Sequence, residues 1–172
     1  MINIPAARFT EFIDFFPPLE LPISLLPDIS LISTVTVPLP GALIDAFIMP
    51  FEGDEVDEYT EYIPYGKISG TKNFHALIYW KAAVMQYEFI LAIYSNEGDL
   101  LAHAIIGGLR SDNEGILHSV SVIHEDLTIT IAEGFTSAEG DLQDNPNTYT
   151  YQMAIKPDGS ISYEINEEDK KE

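Results

Sequence analysis

FHALIYWKAAVMQYEFILAIYSNEGDLLAHAIIG, residues 74–107, is three apolar runs joined by two short breaks, and its reading decides the fold. In the middle run Met85, Tyr87, Phe89, Leu91 and Ile93 alternate with Gln86, Glu88, Ile90, Ala92 and Tyr94. Successive strand side chains point to opposite faces. A period of two that is polar early and apolar later therefore predicts a strand that begins half exposed and becomes buried on both sides. A helix over 82–93 competes with this reading. It fails because Tyr, Phe, Ile and Val dominate, and because Asn96-Glu97-Gly98-Asp99 follows at once as a turn before the apolar run resumes over 100–106.

The same alternation extends outward in both directions. Residues 60–68 predict a first strand, with Pro64 confined to an edge or bulge because proline has no amide to donate. Residues 74–80, 85–95 and 100–106 follow. A polar loop over 109–115 leads to strands at 116–124 and 127–135 through a tight Glu125-Asp126 turn. Residues 137–147 form a surface loop by composition, and 148–155 and 160–165 are joined by Lys156-Pro157-Asp158-Gly159, a hairpin signal. About eight strands with short connections predict a mainly β protein: an antiparallel meander, strongly curled or closed into a barrel. A two-sheet β-sandwich is the alternative.

Upstream of the sheet, Phe9, Phe12, Ile13 and Phe16 share one face at helical spacing, predicting a short helix that Pro17-Pro18 ends and that docks on the sheet. Seven prolines interrupt residues 17–50, which excludes central strands there but allows an edge strand over 30–37. Leu43, Ala46 and Phe47 suggest a second short helix over 41–49. The chain thus divides as one domain: an N-terminal helix and Pro-rich arm (1–58), an antiparallel β core (59–166) and a frayed charged tail (167–172). The densest acidic run, EGDEVDEYTE at 52–61, reads as a solvated loop and lacks the Asp-x-Asp-x-Asp-Gly spacing of a calcium loop.

Eight Lys and Arg against twenty-eight Asp and Glu give a formal charge of -20. That field repels nucleic-acid phosphate and favours a cationic partner. The absence of cysteine excludes disulfides, thiolate catalysis and thiolate-ligated metals. The start lacks the apolar core of a signal peptide, and no run approaches the ~18 apolar residues that span a bilayer, so the expected location is cytoplasmic.

Motifs for chemistry are missing. No Gly-x-Ser-x-Gly or phosphate-binding glycine loop occurs. His118 and His124 stand six residues apart on one strand, about 20 Å when extended, too far to share an ion. No metal or cofactor is therefore expected. The residues best placed to line a ligand site are Tyr79, Tyr87, His75 and His103, with Glu88 beside them, although packing explains the tyrosines more cheaply than ligand stacking does.

The succession FPPLELP, LPGALIDAF, IPYGKI, FHALIYW, YEFILAIYSNEGDLLAHAIIGG, HEDLTITI and KPDGSISYEI resembles uncharacterised bacterial proteins of unknown function. The resemblance implies an all-β fold and no particular site residue. The expectation is a non-enzymatic binding or interaction domain, holding a small apolar ligand or docking a basic protein through its acidic surface. A carboxylate- or metal-dependent hydrolase with its site in the mouth of a barrel is the alternative.

Overall fold

A computed structural model describes residues 6–27, 37–53, 57–137 and 147–164. Three helices and ten strands appear among them. Helix α1 (Ala6–Asp14) is followed by two short strands, β1 (Pro18–Leu19) and β2 (Ile23–Leu25), then α2 (Gly41–Phe47) and α3 (Met49–Glu52). The long strands are β3 (Glu61–Ile68), β4 (Phe74–Ala83), β5 (Gln86–Ser95), β6 (Leu100–Ser111), β7 (Gly115–Ile123), β8 (Thr128–Ser137), β9 (Asn147–Ile155) and β10 (Ile161–Glu164).

All eight strands expected from alternation are present, and from β3 to β10 each pairs antiparallel with the next. Two further strands come from the Pro-rich arm. β1 lies parallel to the end of β3, and β2 lies antiparallel to the end of β7. The barrel expectation is corrected: the ends of the pairing path, β1 and β10, do not pair, so the sheet is not closed. The sandwich alternative is corrected as well, because all ten strands belong to a single sheet. The edge strand expected over 30–37 falls largely outside the described residues.

The sheet bends hard enough to bury one of its faces against itself. Ile78, Trp80, Phe89 and Leu91 from β4 and β5 share a core with Ile123, Ile129, Ile131 and Met153 from β7, β8 and β9. The turn between β9 and β10 reaches back across this core. A Cβ on Gly159 would lie 2.8 Å from Leu101 and 3.3 Å from Ile93, so glycine is required both for that approach and for its positive φ of 84°.

The other face of β4 and β5 is covered by helices, as the apolar pattern of residues 74–95 anticipates. Phe9, Phe12, Ile13 and Phe16 of α1 and its C-terminal turn pack with Leu43 and Phe47 of α2 onto Leu77, Tyr79, Ile90 and Tyr94. Phe12 and Phe47 stack at 4.8 Å, and the Tyr94 hydroxyl donates to the Phe47 carbonyl at 2.7 Å, closing the C-terminal end of α2 onto the sheet. Burying each such aromatic contributes roughly 1.5–3 kcal/mol. Glu52, in α3, accepts from the Tyr79 hydroxyl and from Lys81, which ties the second helix pair to β4.

The bend is concentrated in β6. Its first half pairs only with β5, and only Gly108–Ser111 pairs with β7. Where β6 leaves β7, β2 takes its place against Ser121–Ile123. The loop expected over 109–115 is accordingly corrected: β6 runs on to Ser111, and only 112–114 connect it to β7. Gly107-Gly108 marks the corner. The β5–β6 register shifts beside it, and Gly108 has φ of 140° with its Cα so close to β5 that a Cβ would lie 2.1 Å from the Tyr87 carbonyl oxygen.

Candidate functional site

The corner opens a cleft of about 250 Å³. Its walls are Glu88 of β5, Ile105, Leu109 and Arg110 of β6, and Leu117, Ser119, Glu133 and Tyr151 of β7, β8 and β9, with Gly107 and Gly108 between them. Each wall follows from register. Gln86 pairs with Arg110 and Glu88 with Gly108, which sets Arg110 and Glu88 on one side of the β5–β6 ladder. Ser119 pairs with Glu133 and Glu133 with Tyr149, while Ser121, Ile131 and Tyr151 form the next row on that face.

Two carboxylates meet in this space in different surroundings. Glu88 is only 4% exposed and accepts from Arg110 Nη2 at 2.6 Å, whereas the Arg110 side chain is 51% exposed. The cation reaches in from solvent to a carboxylate that is itself buried. Glu133 has no cationic partner among the described residues. Its Oε1 accepts from the Tyr151 hydroxyl at 3.0 Å and more loosely from Ser119 Oγ at 3.4 Å. Burial and the negative charge of Glu133 both hold the Tyr151 phenol well above its ordinary range, so it stays a proton donor.

On the next row of that face lies Ser121, 2% exposed, whose hydroxyl has no partner among the described residues, a lack it shares with the Tyr62 hydroxyl on the helix-covered face. Ser121 Oγ stands 3.7 Å from the point a Cβ on Gly107 would occupy. The Gly107 wall of the cleft thus has an unpartnered hydroxyl behind it, next to a residue without a side chain.

The four ligand-lining candidates from the sequence do not come together here. Tyr79 is fully buried beneath α2 and α3, its hydroxyl spent on Glu52, and burial and that carboxylate push its phenol far above the ordinary range. Tyr87 is half-buried on the opposite face, stacked on Trp80 at 6.2 Å. His75 lies half-buried and edge-on to Phe9, with burial and the nearby Lys67 lowering its pKa. His103 is exposed, its ring 4.8 Å from that of Phe51. Glu88 does line the cleft, while Arg110, Ser119, Glu133 and Tyr151 were not singled out in the sequence. The usable signal was Gly107-Gly108 inside an apolar run, since paired glycines in a strand mark a bulge or a close backbone approach.

Among the described residues no three His, Asp or Glu side chains gather as metal ligands, and no helix is long and apolar enough to cross a membrane. Comparison with protein-family models, curated proteins and solved structures finds no match to this chain. The reading of the cleft rests on its geometry.

Proposed function

We propose that this protein is a non-enzymatic binding domain whose ligand enters the cleft at the β6 corner. The observation that carries the reading is Glu133, a cleft carboxylate with no cationic partner among the described residues, and behind the Gly107 wall stands Ser121, a buried hydroxyl without a partner among the described residues. An unsatisfied buried hydroxyl costs about 1–3 kcal/mol, which a ligand supplying the missing partner would offset. The concave core offers no comparable space, because Trp80, Phe89 and their neighbours fill it. The acidic character of the chain supports a partner that carries positive charge or many hydroxyls.

A second reading is favoured by the presence of both Glu88 and Glu133 in the walls of one cleft. Two carboxylates in one cleft, one held by a cation and one by neutral hydroxyls, suit general acid/base hydrolysis of a glycoside or ester. One experiment separates the two. Backbone amide shifts of Gly107 and Gly108 are followed by NMR while a chemically diverse small-molecule panel is added, and the same panel is screened for turnover. Saturable shifts without turnover support binding. Turnover abolished by Glu88→Gln or Glu133→Gln replaces the binding reading with the enzymatic one, and a panel that moves neither resonance removes both.

A further inference from the structure

We infer that the cleft is built for the head of an alkyl cation, an ammonium or guanidinium group on an apolar stem, held at Glu133. This rests on the binding reading above and specifies what is bound.

Three observations converge on it. Both hydroxyls that reach Glu133 donate to Oε1, and Oε2 takes no hydrogen bond from a described residue. The carboxylate thus has an open acceptor atom and no counter-charge, and two glutamates against the single Arg110 leave the cleft one formal negative charge in excess. An anion would meet that excess as repulsion, whereas a cation completes it.

The cleft already accommodates this chemistry once. Arg110 brings a guanidinium to Glu88 at 2.6 Å from a half-exposed position, which demonstrates that a cation entering from solvent fits between these walls. The second carboxylate, across the corner, repeats the acceptor without the donor.

The remaining walls suit the rest of such a ligand. Leu109, Leu117 and Ile105 offer apolar contact for a stem, and Ile105 is exposed. Directly across the ladder from Glu133 stands Tyr149, and beside it on the same face are Phe135 and Tyr151; Tyr149 and Phe135 are both exposed. A cation near aromatic rings gains further attraction from their faces. Ser121 Oγ, buried and without a partner among the described residues, stands behind the Gly107 wall.

The cation has two sources: a free amine, or a lysine or arginine side chain of a basic peptide. The test uses n-butylammonium, agmatine, a short Lys/Arg peptide and, as an uncharged comparison, a set of neutral sugars. Each is titrated into the full chain by calorimetry with Gly107 and Gly108 amide shifts recorded in parallel. Cations are expected to saturate the cleft, to weaken as salt is raised, and to lose at least tenfold in affinity with Glu133→Gln, a change that keeps both hydroxyl contacts possible. Thermal melting of that variant confirms folding, and Glu164→Gln, an exposed acid at the far edge of β10, should leave affinity unchanged. Peptide binding at least tenfold tighter than either free amine assigns the cation to a protein partner; comparable affinities assign it to a small amine. Neutral sugars shifting the glycines while cations do not would overturn the cation inference and leave the binding domain standing. Cation binding that survives in Glu133→Gln would overturn the assignment to Glu133, and silence from every probe would count against both proposals.

Discussion

Gly108→Ala should destabilise the protein by about 3 kcal/mol, because two independent penalties fall on one methyl group. The added Cβ would lie 2.1 Å from the Tyr87 carbonyl oxygen and 2.8 Å from Glu88 Cα. Both are backbone atoms of a strand hydrogen-bonded on each side, so neither can swing away as a flexible side chain would. Overpacking of this kind costs typically ~1–3 kcal/mol, and holding a residue other than glycine at φ of 140° adds about 1–3 kcal/mol. In a domain of this size each kcal/mol lowers Tm by roughly 2–4 °C, which places the shift near ~10 °C. Urea unfolding read by the fluorescence of Trp80, buried in the core and the single tryptophan, measures the loss directly. Gly134→Ala in β8 is the control: its Cβ would meet nothing nearer than Thr148 Oγ1 at 3.9 Å, and its stability should change by less than ~0.5 kcal/mol. Equal losses in the two variants, or a Gly108→Ala protein within ~1 kcal/mol of the parent, would refute the claim that β6 turns its corner on this glycine.

Other expectations follow from the helix-covered face and from buried ionisable groups. Tyr94→Phe leaves the Phe47 carbonyl without its buried donor and should cost ~1–2 kcal/mol in the same urea assay. The phenols of Tyr62, Tyr65, Tyr79, Tyr94 and Tyr151 are all raised chiefly by burial, so phenolate absorbance of the native protein should account for fewer than nine tyrosines as pH rises past about 10. The unfolded chain releases those protons first, so stability falls with rising pH there and the missing absorbance appears together with alkaline unfolding. His75 has the opposite linkage: burial holds its folded pKa below the ordinary histidine value of about 6.5, so the unfolded state binds more protons as pH drops. Its contribution is present above that value and is lost as pH falls through it; His75→Gln should flatten that part of a stability profile taken from about pH 7 down to about pH 5.

The long strands were legible because period-two alternation survives single-sequence reading wherever one face is apolar, and in β4 and β5 the additional apolar positions announced the helices on the second face. Two strands were not legible. Pro18–Leu19 and Ile23–Leu25 are too short to show any period, and they are strands only because β3 and the end of β7 present free ladder positions to them. The cleft was hidden for a related reason. Glu133 and Tyr151 are eighteen residues apart, and Glu88 and Arg110 twenty-two, so no spacing rule links them. They are brought into one space by the bend of β6, and the glycine pair that makes the bend falls between the strand expected over 100–106 and the loop expected over 109–115.

The polar residues of that bend test whether packing alone explains the fold. Along one face of β7 and β8 the paired rows run Ile123 with Ile129, Ser121 with Ile131, then Ser119 with Glu133. A core built only for stability would continue with apolar residues at 121, where the side chain is already 2% exposed. Instead the hydroxyl there is desolvated without a partner, a cost of about 1–3 kcal/mol. Ser121→Ala removes one oxygen, opens little space and deletes the unsatisfied group, so it should raise stability by roughly 1 kcal/mol in urea unfolding. The same variant should weaken binding of whatever ligand shifts the Gly107 amide, because the hydroxyl behind the Gly107 wall is gone. A gain in stability joined to a loss of affinity is what a site maintained against packing preference requires. If Ser121→Ala instead destabilises the protein by ~1 kcal/mol or more, the hydroxyl is a structural acceptor or donor, and the cleft loses one of the observations from which its function was argued.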